Sequence, residues 1–111
     1  PIVREIACEM LKGLGYHVLT AETSEECLKI AQDPGTRIDL LLTDVIMPEM
    51  TGKDLYQRIL VASPLIKVLF MSGYTASIIA DRGVIGEDLH FIQKPFTRAT
   101  LAHKVREALD S

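Results

Sequence analysis

No apolar run in this sequence approaches the ~20 residues needed to cross a bilayer. No N-terminal stretch has the basic-then-apolar layout of a secretory leader. These two absences point to a soluble, cytoplasmic domain without direct membrane contact, which can still be tethered to a membrane protein elsewhere. Basic runs are also lacking, and the net charge is −3. A nucleic-acid-binding surface usually needs a basic patch, so that class is disfavoured. No Gly-rich phosphate loop follows any apolar run, which argues against nucleotide binding. Cysteine is scarce. Cys8 and Cys27 both fall among apolar residues of predicted helices, where reduced core thiols are expected rather than a disulfide. His17, His90 and His103 fall on different predicted elements and suggest no metal cluster. The four methionines are expected to fill core and loop contacts. There is no low-complexity tract, internal repeat or linker.

What is present is an ordinary globular balance. Apolar residues make up 48% and charged residues 24% of 111 positions, enough for one domain over residues 1–111. Ile2, Val3, Ile6, Ala7, Met10, Leu11 and Leu14 recur at helical spacing. Pro1 suits a first-turn position, and Gly13 and Gly15 offer a stop. Residues 17–21 read as a short strand. Thr23 and Glu26 form a capping-box pattern that opens a helix ending near Asp33-Pro34-Gly35. Residues 38–43 read as a strand. Thr51 and Asp54 resemble another N-cap pair, opening a helix with Leu55, Ile59 and Leu60 on its buried face. Residues 66–71 form the next strand, residues 75–82 a weak helix, and residues 90–93 a last strand. Thr97 caps a final helix whose buried face is Leu101, Val105, Ala108 and Leu109. Strands alternating with helices predict an α/β fold, a parallel sheet with helices on both faces.

The chain is organised around Leu40-Leu41-Leu42-Thr43-Asp44, followed by Val45-Ile46-Met47-Pro48 and Gly52. An apolar run bounded by turn signals fits a strand buried on both faces. Open α/β sheets place their ligand sites at the carboxyl edge of such strands. Asp44 therefore stands at the mouth of a core strand. A carboxylate there can bind a metal, accept a phosphoryl group or act as a base. Lys94 follows the last predicted strand. Parallel strands bring their carboxyl ends together, so Lys94 can reach Asp44.

Asp44-Val45-Ile46-Met47-Pro48 with Gly52 resembles the phosphorylation loop of response-regulator receiver domains. Met71-Ser72-Gly73-Tyr74-Thr75 and Gln93-Lys94-Pro95-Phe96 match the family in the same order. Ser72 follows Asp44 by 28 residues and Lys94 follows Ser72 by 22. The serine and lysine motifs look most like receivers of hybrid sensor histidine kinases. The resemblance implies a flavodoxin-like, doubly wound parallel sheet. It also implies a first strand and an acidic pair ahead of Pro1, which this chain does not contain. The native polypeptide is therefore expected to be longer, the other possibility being exchange of elements between chains in a homodimer.

By the same resemblance, Asp44 is the phosphoacceptor nucleophile, served by a histidine kinase or a histidine phosphotransfer protein. Lys94 pairs with its carboxylate and then with the phosphoryl oxygens. Ser72 donates to a phosphoryl oxygen and acts as a switch. Phe91 takes the place of the family's rotating aromatic, and Tyr74 covers the site and tunes hydrolysis. Met47, Pro48, Gly52 and Pro95 shape the loops, Gly52 through a backbone angle or a close approach. The resemblance also implies a cis peptide bond before Pro95. Magnesium would be held by Asp44 and the backbone carbonyl of Ile46, with the acidic pair supplying the rest. Without that pair the fragment should bind magnesium weakly and accept phosphate poorly. Such a domain promotes its own phosphorylation and dephosphorylation without being a turnover enzyme.

Two other readings remain. A haloacid-dehalogenase-like phosphatase also places an Asp after a strand, but it needs a second Asp two positions on, where this chain has Ile46. A degenerate receiver would serve only as an interaction module, against which Asp44, Ser72 and Lys94 are all present.

Overall fold

The computed structural model describes residues 2–45, 50–72, 90–94 and 96–110, with side chains from Glu5 onward. In chain order the elements are α1 (Ile2–Gly13), α2 (Ser24–Gln32), β1 (Leu40–Asp44), α3 (Gly52–Ala62), β2 (Lys67–Ser72), β3 (His90–Gln93) and α4 (Arg98–Asp110). The predicted helix at 75–82 lies outside the described residues.

The helix boundaries follow from local chemistry. Thr23, Thr51 and Thr97 each accept a hydrogen bond at Oγ1 from the backbone N–H three residues on, at 3.1 Å in every case. Each satisfies one of the amide groups that a helix start leaves without an intrahelical partner. The box at α2 closes one residue earlier than its pattern suggests. Glu26 Oε2 takes the N–H of Glu22, at 3.4 Å, rather than that of Thr23. Helix α1 stops where Gly15 enters the left-handed region, at φ 95°, which costs glycine little.

The three strands are parallel and ordered β1-β2-β3. Because side chains alternate across a strand, an all-apolar strand feeds two cores. On one side, Leu41 of β1, Val45 just past its end, and Val68 and Phe70 of β2 pack with Ala31 of α2 and Leu55 and Ile59 of α3. On the other, Leu69 and Met71 of β2 and Ile92 of β3 pack with Ala7 and Leu11 of α1 and Leu101, Val105 and Ala108 of α4. Helices thus cover both faces of a parallel sheet, as the alternating sequence predicted. Phe70 is fully buried and meets Tyr56 edge to face, with ring centroids 6.3 Å apart. Phe70→Ala is expected to cost about 3–5 kcal/mol, read as a lowered urea midpoint. A loss below about 1 kcal/mol would mean that the two cores repack around the missing ring.

Three expectations need correction. Residues 17–21 carry no strand assignment and take no part in the sheet. A strand exists through its ladder, and the described sheet ends at β1, so an extended segment there has no neighbour to pair with. Val18 still packs into the second core, whereas Leu19 is half exposed. The apolar face predicted for α1 is only partly used, since Ala7 and Leu11 are buried while Ile6 and Leu14 are exposed. Strands β1 (Leu40–Asp44) and β2 (Lys67–Ser72) lie nearer the carboxyl edge than the expected 38–43 and 66–71, and Asp44 and Ser72 are their last residues. Both cysteines are free and half-buried, and burial pushes the Cys27 thiol up.

Candidate functional site at the carboxyl edge of the sheet

The ladder itself assembles the site. Asp44 lies opposite Met71, and Ser72 opposite Gln93. Val45 N–H donates to Met71 O at 2.9 Å, and Lys94 N–H donates to Ser72 O at 2.7 Å. These two bonds carry the pairing one step past each strand end, so Asp44, Ser72 and Lys94 emerge side by side on adjacent strands about 4.8 Å apart. The Asp44 carboxylate and the Lys94 ammonium form an ion pair. Their side chains are 41% and 27% exposed respectively, so solvent screens the pair and its worth is positional more than energetic. Ser72 is buried at the end of β2.

Gly52 closes the site from below. A Cβ built on it would stand 2.2 Å from Asp44 O and 3.1 Å from Thr43 Cγ2. Gly52 N–H donates to Val45 O at 2.7 Å. The expected close approach is therefore real, and the start of α3 lies flush on the backbone that carries Asp44.

Phe91 stands opposite Phe70 in the β2–β3 register and packs, half-buried, against the first core. Ile46, Met47, Pro48, Tyr74 and Pro95 lie outside the described residues, and so does the peptide bond before Pro95.

Among the described residues no group of three or more His, Cys, Asp or Glu side chains could hold a metal. Magnesium usually takes one or two carboxylates with phosphate oxygens and waters. The described donor set is one carboxylate already paired with an ammonium, which does not make a magnesium site by itself.

Two features escaped the sequence reading. Thr43 is buried, and its hydroxyl donates to Asp44 O at 3.2 Å. The signal for it was a single polar residue at the end of an otherwise apolar run. His90 of β3 and His103 of α4 also converge on Glu107, at 3.6 and 3.3 Å. That pairing depends on how β3 packs against α4, which spacing alone does not reveal.

A parallel sheet sandwiched between helices, with a carboxylate, a hydroxyl and an ammonium at its carboxyl edge, is the layout of an α/β domain whose candidate site lies at the strand ends. The family model described as response regulator receiver domain matches residues 1–106, and the chain belongs to this family of two-component phosphorelay signal transduction. It is 34% identical over 108 residues to the sensor kinase CckA of Brucella abortus, covering 97% of this chain and 11% of that protein. The crystal structure of the receiver domain from the hybrid histidine kinase CckA superposes with a TM-score of 0.78 at 35% identity, covering 97% of this chain and 90% of that one. The response regulator receiver protein CpdR of Brucella abortus is 28% identical over 107 residues, covering 96% of this chain and 88% of that protein. The chain thus spans about a tenth of the one relative and most of the other.

Proposed function

We propose that residues 1–111 act as one receiver domain whose phosphoacceptor is Asp44, and that its donor is a phosphohistidine on a histidine kinase or a histidine phosphotransfer protein. The observation that carries this reading is the ion pair of Asp44 with Lys94 beside Ser72 on one sheet edge. An Asp44 carboxylate oxygen attacks phosphorus and forms an O–P bond. The P–N bond to the donor imidazole breaks, and its electron pair stays on the nitrogen, which takes a proton from solvent. The product is an aspartyl phosphate.

Lys94 supports this transfer by position. Its ammonium already faces the carboxylate and moves onto the arriving phosphoryl oxygens, where charge-assisted hydrogen bonds are strong. The phosphoryl group brings roughly −1.5 to −2 charge and three acceptors. Ser72 Oγ donates to one of them. Its backbone carbonyl holds Lys94, so a shift at Ser72 is passed to β3 and to Phe91. The phosphate thereby biases a two-state equilibrium that a partner reads. The domain promotes its own phosphoryl transfer and hydrolysis without turning over a separate substrate, and it works in the cytoplasm.

Lys94→Ala tests this reading. The side chain is part-exposed and lies outside both cores, so the variant should fold with an unchanged melting midpoint. Its phosphoryl-dependent change in the spectra of Ser72 and Phe91 should be lost. If Lys94→Ala unfolds, Lys94 is a structural residue. If it switches normally, it has no part in the switch.

A further inference from the structure

Both polar atoms of the peptide unit that follows Asp44 are hydrogen-bonded. Its N–H, on Val45, donates to Met71 O across the ladder. Its C=O, on Asp44, accepts from the Thr43 hydroxyl at 3.2 Å. The Cα of Gly52 sits so close to that same oxygen that no side chain fits between them. The next carbonyl, on Val45, takes the Gly52 N–H at 2.7 Å.

Thr43 stands opposite Phe70 in the register and is 6% exposed. It lies on the strand face of Leu41 and Val45, which belongs to the core under α3. Packing alone would be served there by valine, which has the same branched shape and a better fit to an apolar setting. A buried hydroxyl costs free energy unless it is hydrogen-bonded, and the bond it makes ends on the residue that bears the candidate nucleophile. Meanwhile its methyl, Cγ2, lies against Gly52. One side chain therefore touches both the backbone of Asp44 and the start of α3.

We infer that Thr43 is a positioning residue for phosphoryl transfer. Its hydroxyl fixes the Asp44 carbonyl, and with it the direction from which the Asp44 carboxylate leaves the strand. This inference rests on Asp44 being the phosphoacceptor. Small displacements of an attacking group cost rate, so the positioning effect is read in the rate constant, while the melting midpoint records the packing lost at this buried position.

The test uses the full polypeptide that carries this domain, with acetyl phosphate as donor. Four forms are compared: wild type, Thr43→Val, Thr43→Ser and Thr43→Ala. Each is measured for its rate of phosphorylation on Asp44 and for its unfolding midpoint. Thr43→Val and Thr43→Ala should slow phosphorylation by about three- to ten-fold, the range expected for one hydrogen bond. Thr43→Ser keeps the hydroxyl and should run near the wild-type rate. Serine and alanine both lack the methyl, so their difference isolates the hydroxyl even if the valine variant folds poorly. A wild-type rate in Thr43→Ala overturns the positioning role. So does a Thr43→Ser variant as slow as Thr43→Ala, which would assign Thr43 to packing. Wild type that takes no phosphoryl group on Asp44 would remove the premise instead, an outcome read from the unsubstituted protein alone.

Discussion

Asp44→Asn is expected to abolish phosphoryl uptake from both a phosphohistidine donor and acetyl phosphate. The intact mass should then show no gain, where wild type gains about 80 Da, one phosphoryl group. The reason is chemical rather than steric. An amide oxygen has nearly the shape of a carboxylate oxygen but lacks the charge and nucleophilicity for attack on phosphorus. The fold should survive, because the substitution keeps side-chain volume and leaves β1 in its ladder with β2. Lys94 loses its charged partner, but at 27% exposure its ammonium remains hydrated. A labelled Asp44→Asn protein would move the acceptor to another residue and remove the assigned role of Asp44.

Gly52→Ala should have the next largest effect, and its sign is decided by two opposing magnitudes. Alanine favours a helix over glycine by up to ~1 kcal/mol, and less at a first turn. Against this, the new methyl would stand 2.2 Å from a backbone oxygen that is itself fixed in the sheet. Neither partner is the free end of a flexible side chain, so α3 or β1 must shift. Overpacking of this kind costs typically 1–3 kcal/mol and sometimes more, so the net change should be a destabilisation of about 2 kcal/mol. Phosphorylation should slow as well, since the displaced oxygen belongs to Asp44. Urea unfolding and a phosphorylation time course on one preparation measure both. A Gly52→Ala protein more stable than wild type would show that the approach is looser than described.

The sequence made some parts of this arrangement legible and hid others, for physical reasons. Leu40–Asp44 announced a core strand because parallel strands buried on both faces leave a run with no polar alternation. The caps at Thr23, Thr51 and Thr97 were readable because each is a local event, a hydroxyl three residues from the amide it satisfies. The pairing of Lys94 with Asp44 followed from strand direction alone. Residues 17–21 misled because β-like composition marks a segment that can extend, whereas a strand also needs a neighbour. Thr43 and the convergence of His90 and His103 on Glu107 depend on rotamers and on packing between elements. No spacing rule carries that information. Gly52 lay between these cases. A loop glycine after the Asp motif suggested a close approach, but only the fold shows which oxygen it approaches.

The most direct measurement is the position of the phosphoryl group. The full polypeptide would be phosphorylated from a phosphohistidine donor and reduced at once with borohydride, which converts an acyl phosphate into an alcohol. It would then be cleaved and mapped by mass spectrometry. A single modified site at Asp44, absent from unphosphorylated protein, is the predicted result. Modification at any other aspartate or glutamate, or a stable phosphoester with Asp44 intact, would contradict the assignment of the site.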